Sequence, residues 1–108
     1  MRILVLTETD ACCGPMAAAF LRDYSTSMEA VSAGHVPLQS IDPMAVMAMK
    51  ECLIDLSDYM PRDVMTIDRS EFDAVYECPE IAHGSTLDAY RQMRDYIKNE
   101  AYLFFRGL

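Results

Sequence analysis

The pattern of apolar and polar residues at the start of the chain predicts a strand, a loop and a helix. Arg2 to Leu6 form a short, β-branched and leucine-rich run, which is typical of a buried strand. The polar stretch from Thr7 to Gly14 follows as a loop. Pro15 suits the first turn of a helix, because its missing N–H would lack a partner there, and Met16 to Arg22 are strong helix formers.

The segment from Met28 to Cys52 repeats the order of a strand followed by a helix. Met28 to Ser32 predict a second strand, and Ala33-Gly34 predicts a turn at its end. Asp42-Pro43 combines an N-cap acceptor with a first-turn proline, so a helix is expected over Met44 to Cys52.

The segment from Glu71 to Leu108 predicts a third strand and a long amphipathic helix. Glu71 to Glu77 alternate as a strand does, and Ser85 to Asp88 resemble a capping box. Apolar residues then recur at spacings of three and four, which predicts one buried stripe along the final helix. The stripe consists of Tyr90, Met93, Ile97, Ala101, Phe104 and Leu108.

Strands that alternate with helices indicate an α/β fold with a parallel sheet. We predict a small three-layer α/β/α domain with a short parallel sheet, which takes up the whole chain from residue 1 to residue 108.

The net charge of the chain restricts the classes of molecule that it is expected to bind. Seventeen acidic and nine basic side chains give a formal net charge of −8, which repels nucleic acid and anionic lipid, so neither is predicted as a partner. The longest apolar run near the N-terminus, Ile3 to Leu6, is too short for a signal peptide or a membrane span. A cytoplasmic protein is therefore expected.

The four cysteines fit neither a disulfide scaffold nor a metal site. Cys12 and Cys13 are adjacent, whereas Cys52 and Cys78 are isolated, and no pair has the spacing of a zinc site. Without an export signal, reduced thiols are expected. No metal and no other cofactor is predicted.

The first loop is the predicted ligand-binding site. Ligands of open parallel sheets bind beyond the carboxyl ends of the strands, and the N-terminus of the following helix offers backbone N–H groups and a positive dipole end. The predicted loop consists of Thr7, Glu8, Thr9, Asp10, Ala11, Cys12, Cys13 and Gly14.

The order of short motifs resembles the low-molecular-weight protein tyrosine phosphatases and the related thioredoxin-coupled arsenate reductases. The matching pieces extend over most of the chain: Gly14-Pro15-Met16-Ala17, Ser32-Ala33-Gly34, Asp42-Pro43, Ile54-Asp55-Leu56-Ser57, and Tyr90-Arg91 with Arg94-Asp95. The resemblance implies the fold of these enzymes, shortened before the last helix.

The loop departs from the motif that this resemblance implies, which is a nucleophilic cysteine, five residues and an arginine. Counting back from Pro15, Thr7 stands in the place of the nucleophile and Cys13 in the place of the arginine. A threonine hydroxyl stays protonated at neutral pH, and a thiol cannot form the paired hydrogen bonds of a guanidinium with phosphoryl oxygens. Asp10 falls where the family commonly has a bracing asparagine.

The acid that the family carries on an Asp-Pro loop is also absent. Six residues separate Cys78 from Ser85, too few for a fourth strand and that loop, and the nearest candidate acid is Glu80 after Pro79. These departures predict a catalytically inactive binding module whose loop takes an unidentified protein or small molecule. An acidic loop suits a cationic or neutral ligand better than phosphate.

Two enzymatic alternatives remain open. In a thiol-dependent enzyme of the arsenate reductase type, Cys12 would attack and Cys13 or Cys78 would resolve, with thioredoxin as the partner. A residual phosphatase would use Cys12 from a displaced position. Cys12 is favoured in both because a thiol near a helix N-terminus tends to have a depressed pKa.

Overall fold

The computed structural model describes all 108 residues and contains three strands and three α-helices. In chain order these are β1 (Arg2–Thr7), α1 (Cys13–Tyr24), β2 (Glu29–Gly34), α2 (Pro43–Lys50), β3 (Ala74–Glu77) and α3 (Leu87–Arg106). Two short 3-10 turns, Val64–Thr66 and Arg69–Glu71, lie between α2 and β3. No helix is both long enough and apolar enough to cross a bilayer.

The three strands form one parallel sheet in the order β2-β1-β3. The central strand β1 is buried from Ile3 onward, which agrees with its continuous apolar sequence. It pairs with β2 from Arg2 opposite Glu29 to Thr7 opposite Gly34. All three strands therefore point their carboxyl ends toward the loop between β1 and α1.

All three helices contribute to the core on one face of the sheet. Ile3 and Val5 of β1 belong to the same buried cluster as Phe20 of α1, Met49 of α2 and Ile97 of α3. The cluster contains 22 buried residues, so a single core holds the helices to the sheet.

The opposite face of the sheet is covered by the 3-10 turns. Leu4 and Leu6 form a smaller buried cluster there with Ala33 and Val64, against which Ile67 and Phe72 pack. The predicted α/β fold with a short parallel sheet is confirmed, and the layer opposite the helices consists of 3-10 turns and connecting chain.

Tertiary contacts move several predicted element ends. The turn predicted at Ala33-Gly34 is wrong, because β2 continues to Gly34, whose amide donates to the Arg62 carbonyl at 2.8 Å. The second helix ends at Lys50 instead of Cys52, and Leu53 adopts a left-handed backbone with φ of 62°.

The final helix begins and ends differently from its sequence pattern. Its N-cap is Thr86 instead of Ser85, and the Thr86 side chain accepts from the Ala89 amide at 3.1 Å. Leu108 lies beyond the helix and is 46% exposed, so the buried stripe ends before it.

Side-chain contacts hold α2 against α3. Arg94 donates to the Ala48 carbonyl at 2.9 Å and to Glu51 at 2.8 Å, and Arg91 donates to Glu51 at 2.7 Å. The two guanidinium groups lower the pKa of Glu51 to about 2.

Candidate functional site

The predicted loop lies at the carboxyl end of β1 and leads directly into α1. β1 ends at Thr7 and α1 begins at Cys13, two residues before Pro15, so the connection is shorter than predicted and runs from Glu8 to Cys12, with Thr7 in the strand and Cys13 and Gly14 in the helix. Ala11, Cys12 and Cys13 are buried, whereas Glu8 is exposed. The strand and the helix place this segment at the carboxyl edge of the sheet, and the helix begins two residues before the predicted start at Pro15.

Thr7 fills the interior of the loop opposite Gly14. Its hydroxyl accepts a hydrogen bond from the Asp10 amide at 3.0 Å, and its side chain is buried. A Cβ atom at Gly14 would lie 2.8 Å from the Thr7 Oγ1 atom, which is closer than real contacts allow. The threonine side chain thus occupies space that exists only because residue 14 is glycine.

Asp10 is a completely buried carboxyl group that connects the loop to a distant segment. One of its oxygens, Oδ2, accepts from the Arg62 amide at 2.8 Å and from the Tyr59 hydroxyl. The Tyr59 hydroxyl also contacts Ser32 of β2. The other oxygen, Oδ1, is buried without a hydrogen-bond partner. Burial raises the pKa of Asp10 above its usual value.

Glu80 is placed directly on the loop. Its carboxylate accepts from the Thr9 amide at 3.1 Å and from the Thr9 hydroxyl at 3.0 Å. A carboxylate of the chain itself therefore binds one of the loop amides. The sequence suggested Glu80 only as the nearest candidate acid.

The helix side of the loop keeps unused donors. The amides of Ala11, Cys12, Cys13 and Gly14 donate no hydrogen bond within the chain. They lie at the N-terminus of α1, where the helix dipole is positive. Acidic and hydroxyl groups thus occupy the strand end of the loop, while the four amides at the helix end have no acceptor within the chain.

The three thiols of the predicted redox site are all buried at this end of the sheet. The exposed fractions of Cys12, Cys13 and Cys78 are 7%, 1% and 3%. The Cys13 Sγ atom lies 3.8 Å from the Met93 Sδ atom, so the residue that stands in the arginine position points into the core. All three are free thiols, as the sequence predicts, and Cys52 is a partly buried free thiol elsewhere.

The thiol pKa values differ from the expectation for Cys12. A hydrogen bond between the adjacent thiols lowers the pKa of Cys13 and raises that of Cys12, which burial raises further. Burial raises the pKa of Cys78 to about 12. In this geometry the lowered thiol pKa falls on Cys13 instead of Cys12, and the assignment of Cys12 as the nucleophile stays a prediction.

Two open grooves meet at the loop. One, of about 650 Å³, is lined by Thr7, Cys78 and His35 together with three glutamates, Glu8, Glu77 and Glu80. The other, of about 410 Å³, includes Cys12, Asp42 and His83 in its lining. Tyr90 donates to Asp42 at 2.5 Å beneath this second groove, and His83 packs edge-on against the Tyr90 ring.

Sequence reasoning did not find the partners that hold the loop in place. Tyr59 and Arg62 lie 49 and 52 residues from Asp10, in a segment without a sustained period. The sequence signal was the place of Asp10, where the family commonly has a bracing asparagine, but this signal did not identify the partners that a buried carboxyl requires.

Comparison with known proteins identifies the relatives of this chain. Residues 2–103 match the family model described as low molecular weight phosphotyrosine protein phosphatase. A search of curated proteins finds no matching sequence.

Solved structures share the fold at low sequence identity. A low molecular weight protein tyrosine phosphatase from T. tengcongensis aligns with a TM-score of 0.86 and 20% identity over 100% of this chain and 99% of its own. An arsenate reductase from Archaeoglobus fulgidus DSM 4304 aligns with a TM-score of 0.83 and 17% identity over 95% of this chain and 98% of its own. The YwlE arginine phosphatase from Geobacillus stearothermophilus aligns with a TM-score of 0.78 and 19% identity, covering 98% and 91%.

Proposed function

Because the chain belongs to the low molecular weight phosphotyrosine protein phosphatase family, we propose that it is a member without phosphatase chemistry that binds a ligand at the loop from Thr7 to Gly14. The ligand is a protein or a small molecule with a cationic or neutral contact group. The observation that carries this proposal is the identity of the side chains that stand in the loop at the places of the family's nucleophilic cysteine and arginine.

The positions that perform the family's chemistry are filled by groups that cannot perform it. Thr7 stands at the end of β1, where the resemblance implies the nucleophile, and its hydroxyl is buried and bonded to the Asp10 amide. Cys13 stands where the arginine is implied, and it contacts Met93 in the core. Neither side chain supplies a thiolate in the loop or a guanidinium for phosphoryl oxygens.

The charge around the loop supports a ligand other than a phosphate dianion. Glu80 is bonded to the Thr9 amide, and Glu8 and Glu77 line the same groove. A like charge about 6 Å from a bound anion costs on the order of 3 kcal/mol at an effective dielectric near 20. The three carboxylates favour an ammonium or guanidinium group at the groove.

Turnover of p-nitrophenyl phosphate between pH 5 and 8 tests the absence of catalysis. We expect no turnover by the wild-type protein above that of a Cys12→Ser variant purified in parallel. Turnover that the Cys12→Ser substitution abolishes would overturn the proposal and assign a phosphatase nucleophile to Cys12.

Calorimetric titration tests the charge preference of the loop. Agmatine serves as the guanidinium probe and inorganic phosphate as the anion probe. We expect agmatine to bind, Glu8→Gln to weaken that binding, and Asp23→Asn, which removes the same charge from the exposed far end of α1, to leave it unchanged. Phosphate binding in preference to agmatine would contradict the proposal, because the free amides of the helix side would then dominate.

A thiol-dependent reaction is the second candidate function, and the grouping of Cys12, Cys13 and Cys78 at the same end of the sheet supports it. In this reaction a thiolate attacks arsenate and a second thiol forms a disulfide with the first, so that arsenate leaves as arsenite with water. Thioredoxin would reduce the disulfide. Cys12 attacks and Cys13 or Cys78 resolves in the version that the sequence suggests.

Alkylation kinetics distinguish this candidate from the first. If Cys12 reacts with iodoacetamide no faster than glutathione between pH 6 and 8, the thiol-dependent reaction through Cys12 is excluded. Consumption of thioredoxin-derived electrons in the presence of arsenate, lost in Cys12→Ser, would support it instead.

A further inference from the structure

The outer edge of β3 is an open strand edge. β3 lies at one side of the sheet and pairs with β1 alone. An edge strand presents a row of unpaired N–H and C=O groups, which can pair with another extended chain. The backbone groups of this edge lie outside the loop that the proposed function concerns, although Glu77 lines the groove at that loop as well.

The register identifies which residues face outward along this edge. The Cys78 amide donates to the Leu6 carbonyl at 2.8 Å, and Leu6 is the partner of Glu77. Because the N–H and C=O groups of successive residues in a strand point to opposite sides, Val75 and Glu77 direct theirs away from β1. Both residues are exposed, and Val75 is 39% exposed although it is apolar.

Apolar and acidic side chains flank this edge together. A hollow of about 200 Å³ between β3 and α3 is lined by Tyr76, Ile81 and Tyr96, with Glu77 and Glu100 at its polar part. Tyr96 is 55% exposed. A segment paired with β3 would place alternate side chains near this hollow and near the glutamates.

We propose that the open edge of β3 binds an extended basic polypeptide segment, which adds a fourth strand to the sheet. Backbone pairing with Val75 and Glu77 supplies the hydrogen bonds, and Lys or Arg side chains of the segment lie against Glu77 and Glu100. The negative charge of the chain favours a basic segment over a second copy of this chain at the edge. A second copy of this chain carries the same net charge of −8 and would be repelled.

Two matched peptides test the proposal by fluorescence anisotropy. One alternates Lys with Val, and the other alternates Glu with Val. We expect the basic peptide to bind saturably, with an affinity that falls as salt rises, and the acidic peptide not to bind. Equal binding of both peptides, or binding of neither, would overturn the proposal.

Two variants at one position separate backbone pairing from charge attraction. Val75→Pro removes the outward N–H, whereas Val75→Thr keeps it and is equally tolerated in a strand. We expect Val75→Pro to weaken binding about tenfold or more relative to Val75→Thr. Equal affinities would show that the peptide is held by charge alone and would contradict strand pairing.

A further substitution and a mass measurement complete the test. If circular dichroism shows that Val75→Pro does not fold, Glu100→Lys replaces it. We expect Glu100→Lys to lose binding of the basic peptide, and unchanged binding would contradict the proposal.

Analytical ultracentrifugation is expected to show a monomer. A dimer that Val75→Thr retains and Glu100→Lys strengthens would identify a second copy as the occupant and overturn the proposal. Because Glu77 also lines the groove at the loop, the titration is repeated with excess agmatine, and displacement of the basic peptide by agmatine would place the peptide in that groove and overturn the proposal.

Discussion

At the scale of single residues, the loop is held by a buried carboxyl group in an unusual backbone conformation. Asp10 has φ of 52°, in the left-handed region that Asn and Asp tolerate better than other non-glycine residues. Its oxygen Oδ2 binds Tyr59 and Arg62, whereas Oδ1 has no partner. Ionising this group therefore leaves a charge only partly compensated.

We expect Asp10→Asn to stabilise the protein at pH 8 and to lose that advantage near pH 4. The raised pKa means that the native state holds its proton to higher pH than the unfolded state, so the wild type loses stability as pH rises through the native pKa. A buried unsatisfied group costs about 1–3 kcal/mol, which corresponds to several degrees in Tm. Thermal unfolding at both pH values measures the difference, and Asp10→Ala, which loses all these bonds, is expected to be less stable at both.

The contact between Thr7 and Gly14 gives a second residue-scale prediction. Gly14→Ala places a Cβ atom 2.8 Å from Thr7 Oγ1, and such overpacking costs about 1–3 kcal/mol. Thr7→Ala removes the obstructing atoms, so the double variant should recover most of this loss. Urea unfolding of the four proteins gives the coupling free energy, and strictly additive effects would show that the two residues do not contact each other.

The sequence predicted where the loop lies but neither its end before Cys13 nor the side chains that fill it. The apolar run of β1 and the helix-forming residues from Pro15 onward predict the approximate limits of the loop locally, and the helix itself begins at Cys13. The bonds from Glu80 to Thr9 and from Tyr59 to Asp10 join positions 71 and 49 residues apart. Without homologous sequences, a single chain carries no local signal for such pairs.

At the scale of elements, the periodic segments were predicted correctly and their ends were less accurate. Spacings of three and four identified the buried side of α3, because burial follows the helical period. The end of β2 depended on pairing with β1 and on the Arg62 carbonyl, and both are tertiary interactions. Element ends respond to such contacts more than element centres do.

Two residues, Ser85 and Thr86, are candidates for the N-cap of α3, and the structure assigns this role to Thr86. We expect Thr86→Ala to lower stability by about 1 kcal/mol, because the Ala89 amide loses its acceptor. Ser85→Ala should have little effect, since Ser85 makes no side-chain hydrogen bond with the helix. Thermal unfolding compares the two variants, and a larger loss for Ser85→Ala would place the cap one residue earlier.

The ion pairs of Glu51 with Arg91 and Arg94 predict that the stability of the protein falls in acid. Arg91 and Arg94 lower the pKa of Glu51 from 4.5 to about 2, so this interaction stabilises the native state above the unfolded pKa and is lost as pH falls toward 2. We expect Glu51→Gln to lower Tm at pH 6 and to approach the wild type between pH 4.5 and pH 2. A constant difference in Tm over that range would show that packing, instead of charge, causes the loss.

At the scale of the whole molecule, net charge is the dominant electrostatic property. Seventeen acidic side chains on a chain of 108 residues repel one another in the folded state. We expect Tm to rise by a few degrees between about 0.02 and 0.5 M NaCl, because salt screens this repulsion. KCl should give the same rise. A falling Tm would mean that exposed ion pairs such as Arg2 with Glu29 outweigh the repulsion.

The order of the strands also has a consequence for synthesis. The central strand is made before both of its partners, and Arg2 at its start contacts Asp73, directly before β3 and 71 residues later. A nascent chain can pair β1 with β2 early, but the other edge of β1 has no strand partner until β3 has left the ribosome. The unpaired edge of β1 therefore remains open to chaperones until β3 arrives, and the last steps of folding wait for β3 and α3.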